Sequence, residues 1–196
     1  MLVGVLVVGT GNVSASAMAE RLLAQRFGDV VRVSSAGTRA LAGRPMTARS
    51  AAAVRSWGAD PDGHAARQLD DDLLVHPDLV LTATRAHRTH VVARAPRLLR
   101  RTFTLAEAGR LAERCRLAEL VGEQRAPSDP AERMRDLATS LVTARGRWPA
   151  RAPEHDDVED PCGAGEAVHA RAATAIRKAV DGIASAVFGL EAVGLR

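Results

Sequence analysis

Few residues of this chain could do chemistry, and most of them lie near its start. Gly9, Thr10, Gly11, Asn12, Val13, Ser14, Ala15 and Ser16 form a small, partly polar run between an apolar stretch and an amphipathic one. In a strand-to-helix turn such a run exposes the backbone N–H groups of the helix start, whose partial positive charge favours an anion. Gly11 and Asn12 supply the left-handed or closely approached backbone that such a nest requires. Ser14 and Ser16 would need an adjacent base to act as nucleophiles, and nothing next to them in sequence provides one. Asp160 stands before Pro161 in the acidic stretch DDVEDP, which by composition alone reads as a surface loop. His87 and His90 share a helical spacing without a third ligand and read as a surface pair. The only cysteines, Cys115 and Cys162, are too few for a disulfide framework or a cysteine-rich zinc site, so neither metal nor cofactor is expected.

The elements that must position the loop follow from periodicity. Leu2 to Val8 is apolar on both faces, as a central parallel strand covered by helices on each side must be. Met18 to Phe27 carries Met18, Leu22 and Leu23 on one helical face. Val30 to Ser34 reads as a second strand, followed by the loop SAGTRALAGRPM and a helix capped by Thr47 that runs to about Trp57. Asp78 to Thr82 is a third strand, Thr84 starts a helix through Val92, and Thr102 to Leu105 is a short fourth strand. Cys115 lies in the amphipathic stretch RLAERCRLAELV as a half-buried packing residue. Alternation at this spacing predicts one α/β domain over residues 1–196: three layers, with a four-stranded parallel sheet between helices. Ligands in such a fold bind beyond the carboxyl ends of the strands, where Gly9 to Ser16 falls.

Composition narrows the partners. Of 196 residues, 46% are hydrophobic and 26% charged, the mixture of a globular chain with one core. No apolar run reaches the ~18 residues of a membrane span, and no basic segment precedes Leu2, so no membrane partner and a cytoplasmic location are expected. The 27 basic and 23 acidic residues leave a net charge of +4, interspersed along the chain. With two tryptophans, three phenylalanines and no tyrosine, a base-stacking platform has little to be built from, so nucleic acid is not an expected partner.

The sequence VLVVGTGNVSASAMAERLL resembles the opening of the low-molecular-weight protein tyrosine phosphatases, whose loop reads Cys, five residues, Arg, Ser, commonly followed by Pro-Met-Ala-Glu. The similarity continues in order through SAGTRALAGRPM, GHAARQL, DLVLTATRAHRTHV and DVEDPCG, and is closest to a longer branch with extra helical sequence after FTLAEAGRL. Here that insertion spans about 112–154, with the helical ERMRDLATSLVTARG at its centre, and is a candidate to cap the loop or meet a protein partner. The resemblance implies that Asn12, Ser16, Ser35 and His64 lock the loop in shape, that Asp160 is the general acid, and that Leu41 and Cys162 stand at the pocket rim where relatives often carry aromatic residues. Arsenate reductases share the fold but relay electrons through cysteines near the third strand, and Thr82 to Val92 contains none.

The departures bear directly on function. Gly9 stands where the family has its nucleophilic cysteine, Ala15 where it has the arginine that clamps phosphoryl oxygens, and Ala17 where it has proline. The family reaction needs a thiolate to attack phosphorus and a planar guanidinium to hold the transition state. Glycine and alanine supply neither. The expectation is a pseudophosphatase whose loop, slightly enlarged by the missing side chain, still takes a small anion or phosphorylated ligand in a regulatory or partner-binding role. Two other readings remain at this point. One is an enzyme repurposed for another reaction in the same pocket, as in specialised metabolism, with Asp160 or Ser14 as acid or base. The other is residual phosphotyrosine phosphatase activity, for which no nucleophile is found.

Overall fold

The computed structural model describes residues 2–121, 129–150 and 152–189. Its strands are β1 (Val3–Gly9), β2 (Val31–Gly37), β3 (Leu79–Thr82) and β4 (Thr102–Thr104). Its helices are α1 (Ala15–Phe27), α2 (Ala48–Ser56), α3 (Arg85–Arg94), α4 (Leu105–Val121), α5 (Pro130–Arg147) and α6 (Glu166–Phe188). All strand pairs are parallel, in the order β2-β1-β3-β4.

Alternation along β1 divides the core in two. Val3, Val5 and Val7 face a large cluster with Leu22 and Leu23 of α1, Leu111 of α4, Met134 of α5 and Ile176 of α6. Leu6 and Val8 face the other way, onto Val91 of α3 and Leu69, Leu74 and Leu98. Both faces of the central strand are therefore dry, which is why its sequence lacks the apolar-polar alternation of a half-exposed strand.

Two boundaries matter for the site. β2 runs three residues past Ser34 because its register with β1 continues to Gly9↔Gly37, so Ser35 is a strand residue beside the loop. α1 begins at Ala15, three residues before Met18, because Met18 N–H already bonds the Ser14 carbonyl at 2.8 Å.

Among the described residues, none of the expected insertion lines the loop's cavity. α4 runs unbroken through residue 112, and α5, capped by Asp129 with Pro130 in its first turn, lays Met134, Leu137 and Leu141 into the core against α4 and α6. Burying each of those side chains stabilises by about 1.5–3 kcal/mol, which fixes the helix away from the loop. Residues 122–128 and 151 of that insertion lie outside the described residues. Cys115 is half-buried against the core. α6 has no counterpart in the sequence reading, although Ile176, Val180, Ile183 and Val187 recur at helical spacing and are all buried.

Candidate functional site

The loop leaves β1 at Gly9 and enters α1 at Ala15, and its carbonyls are drawn outward. Thr38, Arg39 and Leu41 donate their N–H groups to the carbonyls of Gly9, Thr10 and Gly11 at 2.9, 3.0 and 3.0 Å, and Thr47 N–H bonds the Val13 carbonyl at 2.9 Å. The Asn12 carbonyl accepts from His64 Nε2 at 2.6 Å. This close strapping requires Gly37, since a Cβ there would collide with the Thr10 carbonyl. With the carbonyls so engaged, no N–H from Gly11 through Ala17 has an acceptor among the described residues. The result is a nest of free donors at a helix start.

Asn12 holds the curve. Its φ of 55° is the only left-handed backbone outside glycine among the described residues. Its side chain donates to Ser16 Oγ at 3.1 Å and Ser35 Oγ at 2.7 Å, and accepts Arg67 N–H at 2.9 Å. Ser35 Oγ passes its own proton to Glu20 Oε2 at 2.6 Å, and His64 Nδ1 lies 3.2 Å from the same oxygen. Both His64 nitrogens thus face oxygen atoms, the Asn12 carbonyl and the Glu20 carboxylate. Burial by itself would raise the Glu20 pKa, but the hydrogen bonds from His64 and Ser35 and the nearby positive charges outweigh it and hold the carboxyl below its ordinary value. Asn12, Ser16, Ser35 and His64 therefore meet in one buried network, with Glu20 as a member that the sequence reading omitted.

Inside the loop lies a cavity lined by Thr10 to Ser16, Ala83, Thr84, His87, Val158, Asp160 and Cys162. The space open to the centre of a water molecule is about 20 Å³. That is room for one water or one compact oxyanion whose oxygens are water-sized, and not for an aromatic ring. Gly9 itself contributes no lining to this cavity. Gly9 lies behind Ser16 and outside the cavity wall, and a Cβ built on it would stand 2.9 Å from Ser16 Oγ.

Asp160 and Cys162 reach the cavity edge on the loop before α6, where Asp160 Oδ1 accepts Cys162 N–H at 3.0 Å. Asp157 fixes that loop by accepting Arg85 N–H at 2.7 Å and pairing with its guanidinium at 3.1 Å. Leu41 is 50% exposed, packs outside the loop within about 4 Å of a Cβ built on Gly11, and does not line the cavity. His87 corrects its reading as a surface residue. It is half-buried in the cavity wall, with Nε2 3.0 Å from Thr10 Oγ1 and Nδ1 2.7 Å from Thr84 Oγ1, while His90 is exposed. Burial lowers the His87 pKa below 6.5, against the opposing pull of Asp160, so the neutral ring prevails near neutral pH. Apart from His87 the wall contains no cationic side chain. Ser14 Oγ has only Thr47 Oγ1 beside it, at 3.4 Å, too long to activate a nucleophile.

A parallel α/β domain with an N–H nest at the carboxyl end of its central strand narrows the families to which the chain can belong. The family model for the low molecular weight phosphotyrosine protein phosphatases matches residues 4–116, and the chain belongs to that family. It is 36% identical over 99 residues to the low molecular weight protein-tyrosine-phosphatase Etp of Escherichia coli K12, an alignment covering 50% of this chain and 66% of that one. The chain thus spans about two thirds of the length of this relative. It is 36% identical over 107 residues to a probable phosphatase of the same family, EpsP of Ralstonia solanacearum, covering 55% of this chain and 73% of that one. The fold matches YwlE arginine phosphatase from Geobacillus stearothermophilus with a TM-score of 0.65 at 22% identity, over 93% of this chain and 91% of that one. It also matches the tyrosine phosphatase Wzb from Escherichia coli K30 in complex with sulphate, with a TM-score of 0.50 at 23% identity, over 76% and 96% of the two chains. The family match ends inside α4, so Asp160 and Cys162 lie beyond it.

Proposed function

We propose that this member of the phosphatase family binds a compact oxyanion or a phosphorylated group in the Gly9–Ser16 loop without turning over phosphotyrosine, in a regulatory or partner-binding role. The observation that carries the reading is the nest of free N–H groups from Gly11 to Ala17, beside a cavity with no side chain at Gly9 and only a methyl group at Ala15. Gly9 supplies no side chain to attack phosphorus, and the hydroxyl nearest to it is already held by Asn12. The Ala15 side chain offers the cavity neither charge nor donor, so binding rests on the nest's N–H groups and on the polar side chains of the wall. Sulphate bound to the Wzb relative supports a tetrahedral oxyanion as the ligand class. A repurposed reaction at Ser14 lacks a base within reach among the described residues.

The test is hydrolysis of p-nitrophenyl phosphate by the unaltered chain beside a Gly9→Cys, Ala15→Arg double variant. We expect no turnover from the former and measurable turnover from the latter, with Asp160 as acid and Ser16 rotated to admit the cysteine. Turnover by the unaltered chain would refute the reading.

A further inference from the structure

One chain of polar side chains in the cavity wall lies outside the Asn12 network. Thr84 Oγ1 caps α3 by accepting His87 N–H at 3.3 Å, and the same oxygen lies 2.7 Å from His87 Nδ1. Beyond the ring, His87 Nε2 is 3.0 Å from the hydroxyl of Thr10, a wall residue. The proton positions are assigned from the donor inventory, in which each hydroxyl has a single proton. With Thr84 Oγ1 already accepting at the cap, its proton goes to Nδ1. The ring proton then sits on Nε2 and is donated to Thr10, whose own proton is free to enter the cavity. The chain therefore runs from the helix cap through Thr84 and His87 to Thr10, and ends as a donor. Protonation turns Nδ1 into a donor toward Thr84 Oγ1, whose second lone pair accepts it, and leaves the Nε2–H bond to Thr10 in place.

Resting on the anion-binding reading above, we propose that Thr10 and His87 are the side-chain half of the oxyanion site. Thr10 donates a hydrogen bond to the bound anion, and protonated His87 supplies behind it the positive charge that Ala15 lacks. Burial opposes the imidazolium, as do Arg39 on the strap after β2 and His90 on the same helix, whereas Asp160 and Asp157 on the facing loop favour it. Asp157 is already engaged by Arg85. An anion beside Thr10 adds negative charge next to the ring and so favours its protonation. By reciprocity, acid must tighten the anion. His64 lies behind the loop with both nitrogens occupied and serves as an internal reference.

Sulfate is the probe, because it keeps its charge across the range in which a phosphate titrates. Calorimetric titration of the full chain between about pH 8 and about pH 5.5 is expected to show sulfate binding tighten by about tenfold, equivalent to a rise of about one unit in the His87 pKa on binding. Imidazole proton–nitrogen spectra of the unaltered protein with and without sulfate read that rise directly, in His87 and not in His64. Thr10→Val and His87→Gln are each expected to abolish the acid dependence. Where a variant fails to fold, the spectra of the unaltered chain decide. Sulfate bound with one affinity at every pH and an unmoved His87 titration would overturn the assignment while leaving the anion-binding loop standing. Absence of sulfate binding at every pH would remove both.

Discussion

The two sides of the loop between β1 and α1 differ in kind. On the outer side every carbonyl from Gly9 to Val13 is bonded, and the Asn12 side chain ties Ser16, Ser35 and Arg67 together. On the inner side the wall is built from Thr10, Gly11, Val13, Ala15 and free N–H groups, with no cationic side chain until His87. The atoms that give the loop its shape are thus different from the atoms that would do family chemistry. A sequence can change the second set, at Gly9 and Ala15, while the first set continues to form a phosphate-sized curve.

If that division holds, breaking the outer side must be far costlier than altering the inner one. Asn12→Ala removes three side-chain hydrogen bonds, strands Ser35 and Ser16 partners in a buried site, and asks alanine to adopt a φ of 55°. A loss of about 3 kcal/mol or more in unfolding free energy is expected from the unmet donors and acceptors and the left-handed backbone. Denaturant unfolding measures it. A loss below about 1 kcal/mol would show that the strap from Thr38 to Leu41 holds the loop unaided.

The same side carries a pH signature through Glu20. Its carboxyl titrates below the ordinary value of 4.5, because the hydrogen bonds from His64 and Ser35 overcome the opposing effect of burial. A depressed carboxyl contributes stability that is complete above the unfolded value and is lost as pH falls through the folded one. The melting-temperature gap between the unaltered chain and Glu20→Gln should therefore stay constant from neutral pH down to about 4.5, then close at lower pH. A gap unchanged through acid would mean that Glu20 acts by shape and not by charge.

How much of this was legible in the sequence follows the same line. The parallel strands and the loop's place are written in short-range signals: the doubly apolar β1, the Thr47 and Thr84 caps, the Gly11-Asn12 pair. Resemblance named Asn12, Ser16, Ser35 and His64, and hydrogen bonds through Asn12 and Glu20 join the four in the structure. His87 was misplaced because a helical spacing does not say which flank of α3 meets the loop; that depends on Thr10, 77 positions away. α6 was passed over because its buried face is largely alanine, with Ala172, Ala173, Ala179 and Ala184 diluting the signal of its larger residues. A side chain missing from the sequence is not by itself an empty volume in a packed interior.

That last point yields the mildest prediction. Were the inner side an open shell, Gly9→Ala would insert a methyl group into empty space and change nothing. The packing is otherwise, since a Gly9 Cβ stands 2.9 Å from Ser16 Oγ and 3.1 Å from Ser16 Cβ. Ser16 must rotate, which stretches its bond to Asn12, now 3.1 Å, without touching the other two bonds of that side chain. Overpacking of this order destabilises by about 1–2 kcal/mol, less than the Asn12 variant because the strap and the Ser35 bond remain. Paired with Ser16→Ala, which removes the obstructing hydroxyl, the cost of Gly9→Ala should shrink, a non-additivity readable in a double-mutant cycle. Strict additivity would separate the two residues and place the missing nucleophile's volume somewhere other than Ser16.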